Sequence, residues 1–184
     1  MEMHDGQLKL VASPTQMSVD STDVMSHFQV AREMLEERGH TVTVAGDDDD
    51  KILATSGDGG IVFVKFIPQK LSINLLKEFL SKYDINLYSE FIIVAKSIMA
   101  SNAKKIMKMN SKIEIFVEAE LSFNIMRHYL QPRMRKIPLV KKDCYPVMLE
   151  TDAVAKFMKW TSGDFIEITN SNNMVTYRLV KSVP

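Results

Sequence analysis

The sequence contains little of what marks a secreted, metal-binding or membrane-spanning protein. Its single cysteine, Cys144, cannot form a disulfide within the chain, which favours a reducing compartment. Four histidines are scattered along 184 residues without the spacing of a structural zinc site. Apolar runs such as residues 91–95 are far shorter than the roughly 20 residues of a membrane helix, and the N-terminus lacks a signal peptide's basic and apolar regions. The composition therefore predicts no membrane partner.

The charges of the chain are unevenly distributed, although they sum to zero. Residues 1–60 contain four Lys or Arg and twelve Asp or Glu, so the remainder has an equal excess of positive charge. Within it, residues 96–112 and 127–142 contain bases and no acids. Such clusters attract phosphates, because the field near a surface depends on charges within a Debye length of about 8 to 10 Å. A basic face that simply lies in solvent is the alternative.

The first part of the chain reads as a small α/β domain over residues 21–110. Residues 1–20 lack periodicity and predict a flexible arm. We then expect a helix with a cap at Ser21 or Thr22 and a stop at Gly39. Strands are predicted over 41–45, 61–67 and 91–95, a loop over 46–60, a helix after Ser72, and a further short helix from Ser101. Strand, helix, strand is the order typical of two parallel strands.

Residues 111–184 read as a second unit, which makes the predicted fold class α+β. Lys112–Val117 is a strand candidate that opens this unit, and 118–126 is a candidate short helix. Pro132 and Pro138 are expected to break regular structure around a basic segment. The last elements predicted are a helix from Thr151 or Asp152 to about residue 160, and a hairpin of strands 165–169 and 175–180.

No catalytic motif is evident in the sequence. It has no phosphate-binding glycine loop, no paired histidines at metal spacing and no nucleophile elbow. One nuclease pattern can be tested, in which an acid is followed by a second acid two residues before a lysine. Asp58 and Lys65 fit this pattern, but the second acid's place is Phe63, which cannot bind a divalent ion. The run Asp47–Asp50 is interpreted as a solvated loop, because adjacent carboxylates do not converge on one cation. We therefore expect neither a metal nor another cofactor.

Three segments of the second unit carry a recognisable pattern. The first contains Glu120, Leu121, Asn124, Ile125, His128, Leu130, Pro132 and Arg133; the second contains Pro146, Asp152, Val154, Ala155, Gly163 and Ile168; the third is VTYRLV, Val175–Val180. In this order they resemble the assembly domain of the fifth subunit shared by eukaryotic RNA polymerases, whose archaeal counterpart consists of that domain alone. The segment between His128 and Pro146 is about ten residues shorter than in that family, which suggests a divergent or viral member.

The resemblance implies a non-catalytic subunit of a multisubunit DNA-directed RNA polymerase. The N-terminal domain would be a jaw, a truncated nuclease-like fold without a working site, that flanks downstream duplex DNA and contacts it weakly and without sequence preference. The C-terminal domain would dock on the largest polymerase subunit and neighbouring small subunits. The candidate DNA-proximal residues are Lys96, Ser97, Ser101, Lys104, Lys105 and Lys108. The candidate assembly residues are Asn124, His128, Pro132, Arg133, Pro146, Asp152, Ala155, Gly163, Tyr177 and Arg178.

Two rival interpretations remain open. A free-standing nucleic-acid-binding protein would use the two basic stretches without any polymerase and would bind DNA by itself. An unusual nuclease would cut DNA in the presence of magnesium and depend on Asp58. The location would follow the polymerase: the nucleus by family default, or the cytoplasm or virion if a cytoplasmic DNA virus encodes the chain.

Overall fold

The computed structural model describes residues 26–45, 50–98, 110, 112–138 and 144–182. They form helices and two sheets, so the α+β prediction is confirmed. The helices are α1 (His27–Glu37), α2 (Ile73–Lys82) and α3 (Ala153–Met158), and three short 3-10 helices span Ile85–Leu87, Glu118–Leu121 and Ile125–Arg127. The strands are β1 (Thr41–Ala45), β2 (Lys51–Thr55), β3 (Ile61–Leu71), β4 (Glu90–Ile98), β5 (Ile113–Val117), β6 (Arg133–Ile137), β7 (Val147–Leu149), β8 (Phe165–Thr169) and β9 (Val175–Lys181).

The first sheet has five strands in the order β1-β2-β3-β4-β5. β1, β2 and β3 pair antiparallel, whereas β3, β4 and β5 pair parallel. Helix α2 connects β3 to β4, as the strand, helix, strand pattern predicts, and the side chain of Ser72 caps its first turn by accepting a hydrogen bond from the Leu75 N–H. The apolar runs of β3 and β4 are buried on both faces, which is typical of parallel strands.

Each face of this sheet packs against a helix. On one face, Val64, Ile92 and Phe116 pack against α1. On the other, Phe63, Phe91, Ile93 and their neighbours pack against α2. Helix α1 ends at Glu37, and Gly39 just beyond it has a φ of 83°, so the predicted glycine stop is confirmed. Its N-cap is Ser26, not Ser21 or Thr22, because the helix begins at His27.

The second sheet has four strands in the order β6-β8-β9-β7. The predicted hairpin is confirmed: β8 and β9 pair antiparallel from Phe165↔Leu179 to Thr169↔Val175. Helix α3 packs on one face of the sheet only, and Asp152 caps it by accepting a hydrogen bond from the Val154 N–H at 3.0 Å. We call the face under α3 the inner face and the opposite one the outer face.

Four local predictions were wrong. The predicted loop 46–60 contains strand β2, which Ile52 and Ala54 anchor by burial. The predicted helix 118–126 is two 3-10 helices, because Asn124 interrupts the chain between them. The basic segment between the two prolines forms β6, an edge strand, where proline neighbours are tolerated.

The fourth of these concerns strand β5, which was expected to open the second unit. Instead β5 pairs in parallel with β4 and completes the first sheet. Its apolar side chains are buried in the two cores on either side of that sheet, Phe116 in one and Ile113 and Ile115 in the other. The hydrophobic residues of β5 are therefore covered within the first sheet. The predicted arm 1–20 and the predicted helix at Ser101 lie outside the described residues. Within the described ranges, no helix has the length and apolar character to cross a membrane.

Candidate functional site

The junction between α3 and the first sheet is formed around the buried side chain of Arg38. This side chain is 2% exposed, and it pairs with Glu114 at 2.9 Å and Glu90 at 3.5 Å. It also donates to the backbone carbonyls of Phe157 at 2.8 Å and Lys156 at 3.1 Å, at the end of α3. One guanidinium thus joins α1, two sheet strands and α3. No sequence pattern marks Arg38 as the residue that joins these elements, because its partners are distant along the chain.

Lys159 completes the charge balance of this cluster. Its ammonium lies 3.0 Å from both Glu90 and Glu114, so two bases face two carboxylates. Burial works to raise the pKa of Glu114, but the charges of Arg38 and Lys159 hold that pKa below its ordinary value. Burial, together with the same two bases, lowers the pKa of His40, whose ring lies 3.8 Å from Glu90. The cluster therefore favours an ionised Glu114 and a neutral His40 imidazole.

Asn124 makes a second link across the junction. Its buried amide donates to Glu33 of α1 at 2.8 Å, and Arg127 pairs with the other oxygen of Glu33 at 2.9 Å. Asn124 also accepts a hydrogen bond from the Met126 N–H, which caps the 3-10 helix that follows. The candidate assembly residue Asn124 thus lies inside the protein and fixes its own chain, so it is not on an exposed docking surface.

The inner face of the second sheet is only partly covered by α3. Beside the helix lies a groove of about 770 Å³, which we call the inner trough. Its floor contains Met134, Ile168, Thr176, Arg178 and Met148, one or two from each strand of the sheet. Its walls are the segments Thr151–Asp152 and Gln131–Pro132 with Val154, Asn170, Val147 and Leu149. The trough exists because α3 has six residues, about 9 Å of helix, against four strands.

A second groove of about 540 Å³, which we call the side groove, meets the inner trough at Gln131, Pro132 and Asn170. It runs between Tyr129–Arg133 and the turn of the β8–β9 hairpin. Tyr129 is 86% exposed and Leu130 is 70% exposed, and the His128 ring packs against Tyr129 at 4.8 Å. Exposed apolar side chains that border a groove are typical of protein interaction sites.

The outer face of the second sheet presents aromatic side chains without a covering helix in the described residues. Tyr177 stacks on Phe165 with ring centroids 5.4 Å apart, and Tyr145 contacts the same ring at 4.5 Å. At the sheet edge, Val147 and Leu149 are 43% and 44% exposed. The outer face is thus a second apolar surface, separate from the inner trough.

The ten candidate assembly residues do not form one surface. Pro132, Asp152 and Arg178 line the inner trough, and Pro132 and Arg133 line the side groove. Tyr177 lies on the outer face, His128 lies beside the side groove, and the Pro146 carbonyl accepts a hydrogen bond from the Leu179 N–H where β7 joins β9. Ala155 is a fully buried residue of α3 that packs against the second sheet, and Gly163, with a φ of 98°, forms a turn. Sequence reasoning missed Tyr129, Val147 and Leu149, whose exposure only the fold reveals.

Of the candidate DNA-proximal residues, Lys96 and Ser97 are exposed at the end of β4, and the other four lie outside the described residues. The strand register brings Lys70 of β3 opposite Ser97. There β3 and β4 extend past the last paired residues of their neighbours, β2 and β5. The structure thus adds Lys70, which the sequence analysis did not single out, to this basic end of the sheet.

The residues of the nuclease pattern have other roles. Phe63 packs among Tyr83, Tyr88 and Phe91, and Lys65 pairs with Asp50. Asp58 lies in an exposed turn, where hydrogen bonds from Ser56 and the Gly60 N–H lower its pKa. Among the residues that the structure describes, no three His, Cys, Asp or Glu side chains are grouped to hold a metal ion.

Comparison with known proteins gives two viral relatives. The chain is 29% identical over 182 residues to a protein of Invertebrate iridescent virus 6 that is provisionally named DNA-directed RNA polymerase subunit 454R; the match covers 84% of this chain and 97% of that protein. It is 23% identical over 181 residues to "Uncharacterized protein 092R" of Invertebrate iridescent virus 3, with 84% and 99% covered. No protein-family model matches the sequence. Neither name mentions the fifth common subunit, so that assignment stays a prediction.

Proposed function

We propose that this protein is a non-catalytic subunit of a viral multisubunit DNA-directed RNA polymerase. The observation that carries the proposal is the match to the iridescent virus protein named as a polymerase subunit, which extends over nearly the whole of that protein. The match covers 84% of this chain, so the similarity is not confined to one motif. The location would then be that of the viral polymerase, in the cytoplasm or the virion.

The C-terminal unit is the proposed docking part. It has two apolar surfaces that its own short helix leaves open, the inner trough and the outer face with Tyr177. Large aromatic and aliphatic side chains that stay exposed in an isolated chain favour burial against another protein. The proposed partners are the largest polymerase subunit and small subunits next to it. The junction around Arg38 would transmit this docking to the first sheet, because it joins α3 to that sheet through buried bonds.

The first sheet is the proposed jaw beside downstream DNA. Lys70 of β3 and Lys96 of β4 are exposed at one end of this sheet, where Lys70 is paired with Ser97. Lysines in such a position attract phosphates without reading sequence. In the assembled polymerase, the logarithm of the binding constant for downstream duplex falls linearly with the logarithm of the salt concentration. When Lys70 and Lys96 are both replaced by alanine, the slope of this line should become less negative by about 2. An equal change of slope in the matched Lys77→Ala variant of α2 would show a general effect of charge and would contradict a DNA contact at this end of the sheet.

The decisive test of the proposal is purification of the tagged full-length chain from its native source, followed by mass spectrometry with quantified stoichiometry. We expect two very large polymerase subunits, each at one copy per copy of this chain. Recovery of the chain alone, or with nucleic acid only, would overturn the proposal and favour a free-standing nucleic-acid-binding protein. That rival also predicts appreciable DNA affinity for the isolated chain, which a titration against duplex DNA measures directly.

A further inference from the structure

The arginines of this chain fall into two groups, and the division points to the inner trough. All six lie in the described residues, and Arg32, Arg38, Arg127 and Arg135 each have a carboxylate within 4 Å. Arg133 and Arg178 have no such partner among the described residues. These two are the arginines that line the side groove and the inner trough. The two arginines without a carboxylate partner in the described residues therefore both lie where the protein also has open apolar surface.

The surroundings of Arg178 leave its charge without a counterion in the described part of the chain. One guanidinium nitrogen donates to the Val147 carbonyl at 3.4 Å, a long bond for a group with five N–H donors. The carboxylate in the trough wall, Asp152, is engaged as the cap of α3. Met134, Met148 and Ile168 form the apolar floor beside Arg178. A ligand for this trough must therefore supply apolar side chains and at least one carboxylate.

We propose that the inner trough binds a segment of another polymerase subunit whose apolar side chains cover the part of the inner face beside α3 and whose carboxylate pairs with Arg178. The proposal rests on the polymerase-subunit function proposed above. A sheet needs a covering layer on its apolar face, and α3 supplies only part of that layer. A partner segment beside α3 completes it and continues past Pro132 into the side groove, where Arg133 offers a second site for an acid.

A polypeptide fits this trough better than a small molecule does. The trough is an open groove that joins a second one at Gln131, Pro132 and Asn170, so together they form a channel that runs from exposed Leu130 and Tyr129 to strand β7. A chain that crosses four strands at about 4.8 Å spacing needs to span roughly 14 Å, which is four or five extended residues. Exposed apolar side chains at one end, an apolar floor and the Arg178 cation along it match a short peptide segment.

The test uses the tagged full-length chain purified from its native source with the polymerase. A photo-cross-linking amino acid at Thr176, on the trough floor, should attach covalently to another polymerase subunit, whereas the same group at the exposed Leu87 of the first sheet should not attach to that segment. Mass spectrometry of the cross-linked peptide should show apolar residues and an Asp or Glu. A cross-link to DNA, to a second copy of this chain, or to a segment without a carboxylate would overturn the proposal.

A charge series at Arg178 tests the ion pair itself. Recovery of the polymerase subunits should fall in the order Arg178→Lys, Arg178→Gln, Arg178→Glu, with a loss of at least about tenfold for the last. Reversal of an exposed arginine elsewhere, Arg32→Glu on α1, should leave recovery unchanged. After the cross-link identifies the partner's carboxylate, its change to lysine should restore recovery of the Arg178→Glu chain. Because only assembly failure is rescued in this way, a folding defect in the variant is distinguished.

The outcomes separate this proposal from the one on which it rests. If the wild-type chain recovers the large subunits and the whole Arg178 series recovers them equally, the trough is not the docking site, while the polymerase function stands. If the wild-type chain recovers no polymerase subunit, both proposals fail.

Discussion

The two sheets of this protein differ in how their faces are covered. The first sheet has a helix on each face, and its central residues Val64, Phe91 and Ile92 are at most 1% exposed. The second sheet has one short helix on one face, and four successive residues of its central strand, Val175–Arg178, are exposed. Among the described residues, the first sheet is covered by helices on both faces, whereas the second is covered by α3 on part of one face.

This contrast indicates that the two sheets have different roles. A sheet packed on both faces gains most of the hydrophobic stabilisation available to it, so it can serve as a rigid support. A sheet with open apolar faces gives up part of that stabilisation and gains a surface for a partner. Between them, Arg38 holds the end of α3 against the first sheet. The stable part thus positions the part with the open surfaces.

The largest effect should follow from a cavity in the first sheet. Phe91 is fully buried and packs on Phe63, Tyr83 and Tyr88, so Phe91→Ala removes a ring from a dense aromatic cluster. We expect the free energy of unfolding to fall by about 3 to 5 kcal/mol. Urea unfolding followed by circular dichroism measures the change. A loss below about 1 kcal/mol would mean that this core relaxes around the cavity and is less tightly packed than its burial indicates.

Removal of Arg38 should have an effect of similar size for a different reason. Arg38→Ala leaves the carboxylates of Glu90 and Glu114 with Lys159 as their remaining base among the described residues, and it strips donors from two carbonyls at the end of α3. Breaking a buried ion pair from one side costs about 3 to 5 kcal/mol.

The exposed pair of Arg32 and Glu36 on α1 provides the control for Arg38. Arg32→Ala should cost no more than about 0.5 kcal/mol, because solvent screens both charges. If the Arg38 and Arg32 variants lose equal stability in the same urea titration, the cluster around Arg38 does not hold the junction.

The elements that the sequence predicted well are those with a strong local signal. The apolar runs of β3 and β4, the serine cap of α2 and the hairpin of β8 and β9 all depend on neighbours in the chain, and all are present. Strand β2 was missed because the turn-forming residues on either side of it dominate the pattern. Strand β6 was missed because an edge strand needs few apolar residues; it contains three bases and pairs on one side only.

The site was less predictable than the fold, since its features depend on distant pairs. Arg38 lies 76 positions from Glu114 and 119 positions from Phe157, and no local pattern marks such partners. Exposure is equally non-local: Leu130 and Ile125 look alike in a sequence, yet Leu130 lies in solvent and Ile125 packs between the cores of the two sheets. Among the motif residues, Ala155 is buried and Gly163 lies in a turn, whereas Tyr177 is exposed, so a motif alone did not separate surface from core.

A pH dependence should report on the junction. Burial, with Arg38 and Lys159 nearby, lowers the pKa of His40 from its ordinary 6.5, although Glu90 and Glu114 oppose the shift. As the pH falls below 6.5, the unfolded chain binds a proton at His40 before the folded chain does, so stability decreases with falling pH. Thermal unfolding between pH 5 and 7, above the ordinary Glu pKa of 4.5, should show this slope in the wild type. The slope should flatten in His40→Gln and persist in the exposed matched variant His128→Gln.

A loss of an aromatic side chain from the open face of the second sheet should have only a small effect on stability. Tyr177 is exposed and stacks on Phe165, so Tyr177→Ala should cost about 1 kcal/mol, far less than Phe91→Ala. A loss as large as that of Phe91→Ala would mean that the outer face belongs to the core, and the contrast between the sheets would disappear. The same variant, carried in the tagged chain, should nevertheless reduce recovery of polymerase subunits. A side chain that matters little to the folded monomer and much to the assembled complex belongs to the interface, because its contacts are made only after the partner binds.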